Sequence, residues 1–183
     1  MSFTDLPEGL PEPVDDGACD HLLGMEMPSD WLKSSRGDDV CVNRELSVIY
    51  IFPMMGQPGV DLPKDWDATP GARGCSVQSI AYARAFESFS ALGASVYGLS
   101  SQPVAELTEA AGRLELPQEL LSDASGAFRA ALKLPTFELH GVEYLSRAAI
   151  GVKRGHIDHV SYPIFPPGSE TPAIKAWLES VTD

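Results

Sequence analysis

The stretch Leu46–Phe52, LSVIYIF, constrains the fold more than any other. It is short, rich in β-branched and aromatic residues, and shows no in-out alternation. Such a run reads as a strand buried on both faces, so the chain must supply cover on each side of it. Pro53 ends the run, because proline cannot continue a strand ladder. Residues 54–74 then form a long connection broken by Pro58, Gly59, Pro63, Pro70, Gly71 and Gly74. A loop of about twenty residues is uncommon in a compact domain and often carries function. From Cys75 to Ala91 there is no glycine or proline, and Tyr82, Phe86 and Phe89 recur at i, i+4 and i+7. That spacing predicts a helix with one apolar face, closed by Gly93.

The next segments repeat the pattern. ASVYGLSS (94–101) is a second strand, and PVAELTEAAGRL (103–114) opens with the proline favoured at a helix start. QELLSD (118–123) reads as a short edge-like strand or turn, and 124–134 as a shorter helix. TFEL, YLSRAAIGVKRG and HIDHVSYPIF are strand-like and are separated by His140-Gly141 and Arg154-Gly155. The last two are expected to pair as a hairpin. TPAIKAWLESV (171–181) closes the chain as a helix with Ile174, Trp177, Leu178 and Val181 on its apolar face. Early βαβα order implies parallel strands covered by helices. The late hairpin adds antiparallel strands, an order of thioredoxin type.

Residues 1–20 carry Asp5, Glu8, Glu12, Asp15, Asp16 and Asp20 together with Pro7, Gly9, Pro11 and Pro13. They read as an acidic arm without a core of its own, leaving 21–183 as the folded domain. The net charge of −13 repels phosphate backbones and argues against a nucleic-acid partner. No stretch approaches a membrane span, and no signal peptide is evident. Three cysteines, Cys19, Cys41 and Cys75, are too few and too odd in number for a secreted disulfide framework, so a cytoplasmic setting is expected.

Cys75 stands out. It sits in PGARGCSVQS at the mouth of the predicted helix, with Arg73 two residues before it and Ser76 after it. Helix N-termini present unpaired N–H groups and partial positive charge, and a guanidinium adds to the stabilisation of an anionic sulfur. The bland alternative is a small buried residue at a helix start, but structural cysteines usually sit within apolar runs. Arg147, amid YLSRAAIGV, is out of place in a half-buried strand unless it meets an anion. Otherwise it faces solvent.

From about Asp16 onward the chain resembles the peroxiredoxins, in particular the group related to bacterioferritin comigratory protein. The likeness is carried in order by VIYIFP (48–53), PGARGCSVQS (70–79), GLSSQ (98–102), LLSD (120–123), LSRAAIGVKRGHIDHV (145–160) and the closing helix. It implies a thioredoxin-like α/β fold, a central mixed β-sheet flanked by helices, with an N-terminal extension. It also implies a thiol-dependent peroxidase that reduces hydrogen peroxide or organic hydroperoxides. By this resemblance Cys75 corresponds to the peroxidatic cysteine, Arg147 to the arginine that stabilises the thiolate and orients peroxide, and Pro53 to the proline shielding the pocket. Trp66, in KDWDA, is placed to cap that pocket. No cofactor is implied. The partners are a hydroperoxide and an external thiol reductant: thioredoxin, glutaredoxin or a small thiol. A homodimer is a further reading; a non-catalytic module on this fold would instead pair subunits through an exposed apolar patch, Tyr162–Pro167.

Two departures qualify the likeness. The family threonine three residues before the cysteine is here Ala72. Either Thr69, six before, supplies the hydroxyl, or the backbone N–H groups of Gly74 and Cys75 act alone. Relatives often carry a resolving cysteine five residues on, where this chain has Ile80. That position turns about 140° away from Cys75 on a helix. Reduction then falls to an outside thiol, to Cys19 in the arm, or to Cys41 in an N-terminal hairpin. His156 and His159, three apart on a strand, are expected on opposite faces and so unable to share a metal. Two other functions compete: a repurposed enzyme on this fold, with the 54–74 loop closing over an organic substrate, and a non-catalytic module.

Overall fold

The computed structural model describes residues 5–182. Its elements run β1 (Trp31–Ser34), β2 (Asp39–Cys41), β3 (Leu46–Ile51), α1 (Cys75–Ala91), β4 (Ser95–Ser100), α2 (Val104–Arg113), β5 (Glu119–Ser122), α3 (Ala127–Leu132), β6 (Thr136–Leu139), β7 (Val142–Leu145), β8 (Ala148–Lys153), β9 (His156–Ser161) and α4 (Thr171–Thr182). Seven strands form one sheet in the order β2-β1-β5-β4-β3-β8-β9, and β6 and β7 pair as a separate ribbon. The centre, β3-β4-β5, is parallel, and every other pairing is antiparallel.

β3 is buried on both faces, and its alternate residues divide two cores. Val48 and Tyr50 pack with Tyr82 and Phe89 of α1, Leu107 of α2, and Ile174 and Leu178 of α4. Ile49 and Ile51 pack on the other side with Phe128 and Leu132 of α3 and with Leu22 and Met27 of the N-terminal segment. The sheet therefore separates the two clusters, as period-two strand geometry requires.

Three expectations are corrected here. Segment 118–123 is not an edge: β5 lies between β1 and β4, because the N-terminal hairpin docks on its free side. YLSRAAIGVKRG is not one strand. It breaks at Ser146–Arg147 into β7 and β8, which join different sheets. His156 and His159 do not alternate across the sheet. A bulge opposite Gly151/Val152 pairs His159 with Gly151 and His156 with Lys153, so the extra residue returns both histidines to the same side.

The β3–α1 packing sets the position of residue 75. Tyr50 stacks on Tyr82 with ring centroids 4.2 Å apart. Its hydroxyl donates to Ser79 Oγ at 3.0 Å and accepts from Gln118 Nε2 at 3.0 Å. Gly98 leaves room for that ring, since a Cβ there would lie 2.6 Å from Tyr50 Cζ. The start of α1 is thereby pinned to the middle of the sheet.

Candidate active site

α1 begins at Cys75 itself. Gly74 is its N-cap with φ 103°, a left-handed conformation that favours glycine. A Cβ at this position would also lie 2.5 Å from Pro167 Cγ and 2.9 Å from Leu6 Cδ2. The chain can enter the helix at this angle only without a side chain at 74, and the entry delivers the sulfur inward. Cys75 is 3% exposed, and its Sγ lies 3.5 Å from the Ala72 carbonyl.

Arg147 comes to meet it from 72 residues away. Its Nη2 lies 3.4 Å from Cys75 Sγ and donates to the carbonyls of Gly71 (3.2 Å), Ala72 (3.3 Å) and Arg73 (3.0 Å). Its Nη1 donates to Gln78 Oε1 at 2.6 Å. The break between β7 and β8 explains the burial: residue 147 is freed from strand alternation, and the side chain, 3% exposed, turns into the protein. One guanidinium thus holds the three carbonyls that shape the loop before the sulfur and touches the sulfur as well.

Gln78 and Glu170 were not legible as site residues. Gln78 Nε2 donates to Glu170 Oε1 at 2.8 Å, so a carboxylate just before α4 fixes the amide that faces Arg147. Both residues are buried. A glutamine one helical turn after the cysteine was the available signal, but nothing local links it to residue 170. Tyr82, in the same core, has its phenol pushed well above its ordinary value by burial first and the Glu170 charge second.

The remaining candidates divide. Trp66 is buried and shares a cleft with Cys75, Ser76, Gly74, Arg73, Met54, Met55, Gly56 and Leu62. Its ring sits edge-on to Tyr144 with centroids 5.0 Å apart, so the β6–β7 ribbon holds the tryptophan in place. Pro53 is buried just before this cleft wall begins at Met54, and its carbonyl accepts from Ser100 Oγ at 3.1 Å. Gln102 secures the same exit by bonding both the N–H and the carbonyl of Met55 at 2.8 and 3.1 Å. Thr69 does not turn its hydroxyl to the sulfur. The Oγ1 donates to the Asp65 carbonyl at 2.9 Å, closing a local turn. Arg73 lines the cleft with its Nη1 3.0 Å from Asp67 Oδ1.

Cys19 and Cys75 lie in different cores, with the sheet between them. Burial, and then the charges of Asp16, Asp15 and Asp20, push the Cys19 thiol up to about 12. Cys41 is half-buried at the end of β2, and all three cysteines are free. The Tyr162–Pro167 segment is not an exposed patch, since Ile164 is in the core and Pro167 packs over Gly74.

The architecture is a thioredoxin-like α/β fold, a mixed sheet flanked by helices, of the kind seen in peroxiredoxins. It is shared with bacterioferritin comigratory protein of Xanthomonas campestris, at 16% identity and TM-score 0.67 over 94% of this chain and 98% of that one. Peroxidoxin BcpB of Mycobacterium tuberculosis has 18% identity and TM-score 0.70 over 87% and 97%. A mutant of PrxQ from Xylella fastidiosa has 15% identity and TM-score 0.70 over 88% and 97%. No protein-family profile matches the chain, and no curated protein matches it with significance.

Proposed function

We propose that this protein is a peroxiredoxin: a thiol peroxidase acting through Cys75. The contact between Arg147 Nη2 and Cys75 Sγ, 3.4 Å apart, carries the reading. It joins a sulfur at a helix N-terminus to a buried cation placed to stabilise the negative charge that passes from sulfur to oxygen in the reaction. The Xanthomonas neighbour's structure is described with alkyl peroxide reduction activity, which accords with this chemistry.

In the proposed reaction the Cys75 thiolate attacks one oxygen of a hydroperoxide. An S–O bond forms as the O–O bond breaks, sulfur is oxidised by two electrons, and the departing oxygen takes a proton and leaves as water or an alcohol. The product is a sulfenic acid. Cys19 is walled off by the sheet, Cys41 lies on the outer strand β2, four positions from β3 in the sheet, and position 80 is isoleucine, so the proposal assigns reduction to an external thiol. That thiol attacks the sulfenic sulfur to give a mixed disulfide and water. A second thiol then releases Cys75 and leaves as the disulfide.

Stopped-flow mixing with hydrogen peroxide tests the reading. Cys75 should be consumed at least about a hundredfold faster than free cysteine, a gain of roughly 3 kcal/mol in the barrier. Cys75→Ser should abolish turnover with dithiothreitol. A wild-type thiol no faster than free cysteine rejects the proposal.

A further inference from the structure

The arm reaches the site. Leu6 Cδ2 presses on the position where a Gly74 side chain would begin, and Pro13 Cβ lies 3.8 Å from the corresponding point on Gly71. Leu10 and Pro11 join Thr69, Gly71, Arg73, Arg147, Ile164, Phe165 and Pro167 around a second small cavity. Arg147 Nε is buried there without a hydrogen-bond partner among the described residues. Leu6, Leu10, Pro11 and Pro13 are half-buried, whereas Asp5, Glu8, Glu12, Asp15 and Asp16 are exposed. The arm is therefore two-sided, apolar toward the site and acidic toward water.

Beyond Pro13 it is moored. Tyr162 Oη donates to Asp16 Oδ1 at 2.9 Å. The side chains of Asp15 and Asp16 accept from the Gly17 and Ala18 N–H groups at 3.0 Å each, and Cys19 and Leu22 enter the core. Residues 5–13 thus hang from a fixed point and lie over the loop that carries Cys75. The cleft at Cys75 and the cavity at Arg147 are separate and small, each with room for about one water; Leu10 and Pro11 line the second, and Leu6 abuts Gly74, next to the sulfur.

We propose that residues 5–13 form a strap over the Cys75 site, and that Leu6 and Leu10 determine which molecules reach the sulfur by size. Small hydroperoxides pass with the strap seated. Bulky hydroperoxides and bulky thiols reach the sulfur only after it lifts, with the moored turn at Asp15–Ala18 staying in place. The size selection among hydroperoxides rests on the peroxidase reading, whereas the covering of the sulfur does not.

The test compares wild type, the double variant Leu6→Ala/Leu10→Ala, and the chain lacking residues 1–13, with folding checked by circular dichroism. The truncation leaves the Tyr162 mooring and both cores intact. Each protein is titrated with two probe pairs: hydrogen peroxide against cumene hydroperoxide, and iodoacetamide against pyrenyl maleimide, with Cys75 read by mass spectrometry. The bulky-to-small rate ratio should rise by about tenfold in both altered proteins, equal to ~1.4 kcal/mol of barrier, with the small-probe rates within about threefold of wild type. Unchanged ratios for both pairs overturn the strap even if hydrogen peroxide oxidises Cys75 rapidly. A raised alkylation ratio with no peroxide reaction in any of the proteins keeps the strap and rejects the peroxidase.

Discussion

Replacing Arg147 with methionine removes the charge and keeps the approximate length of the side chain. At the 3.4 Å separation of Nη2 and Sγ, point charges in an effective dielectric of ~20 attract by about 5 kcal/mol. Spreading the guanidinium charge over its three nitrogens lowers this to about 3–4 kcal/mol, the range found on removing one donor from an anion-stabilising site. The expected loss in the second-order rate of Cys75 oxidation is then about 10²–10³-fold. Arg147→Lys keeps the charge but not the fork that holds the carbonyls of Gly71, Ala72 and Arg73. It should recover about tenfold over methionine without reaching wild type. Methionine also leaves three carbonyls without this donor, at about 1 kcal/mol each, so rates are normalised to folded protein measured by circular dichroism. The assay mixes each protein with hydrogen peroxide and follows dimedone capture of the sulfenic acid by mass spectrometry. A folded methionine variant within about threefold of wild type refutes the electrostatic argument.

Three other outcomes are expected. Thr69→Val should change the peroxide rate by less than about threefold, because its hydroxyl is committed to the Asp65 carbonyl; a hundredfold loss by the same assay would return Thr69 to the peroxide site. Gly151→Ala should lose about 1–3 kcal/mol of stability in urea titration, because its new Cβ would lie 2.4 Å from Trp177 Cζ3; Trp177→Leu should restore part of the loss, and no change in either protein would contradict the packing. Burial lowers the His159 pKa, outweighing the opposing Asp158 charge, so the neutral ring is favoured in the fold. Its stabilisation is complete above the ordinary value of 6.5 and is lost as pH falls through the lowered folded value. Unfolding free energies measured from pH 7.5 downward should fall less steeply for His159→Gln, and parallel curves would contradict this.

Legibility followed the range of the interaction. The doubly buried strand at Leu46–Phe52 and the uninterrupted run from Cys75 to Ala91 were readable because their periodicity is local, and α1 spans 75–91 as expected. The turns at His140-Gly141 and Arg154-Gly155 were readable for the same reason: all four residues have positive φ, which such dipeptides favour in tight hairpins. Segment 118–123 was misread because an edge is a property of neighbours, and β1, which docks beside it, lies some ninety residues earlier. The histidine pair was misread because one bulged residue reverses every later in-out assignment. At the candidate site, the place of Cys75 behind Gly74 at a helix start was local and so readable, whereas Gln78 and Glu170 acquire meaning only from contacts across the fold, Gln78 with Arg147 at 2.6 Å and with Glu170 at 2.8 Å.

By itself the chain specified a sulfur at a helix mouth, a strand needing cover on two sides, and an acidic, proline-broken arm, because each depends on residues within a few positions. Only tertiary folding decided that Arg147 turns inward to that sulfur, that the sheet stands between Cys19 and Cys75, and that the arm lies on the site rather than in water. Those outcomes depend on segments tens of residues apart meeting in one core, and no local pattern encodes which partner a buried side chain will find.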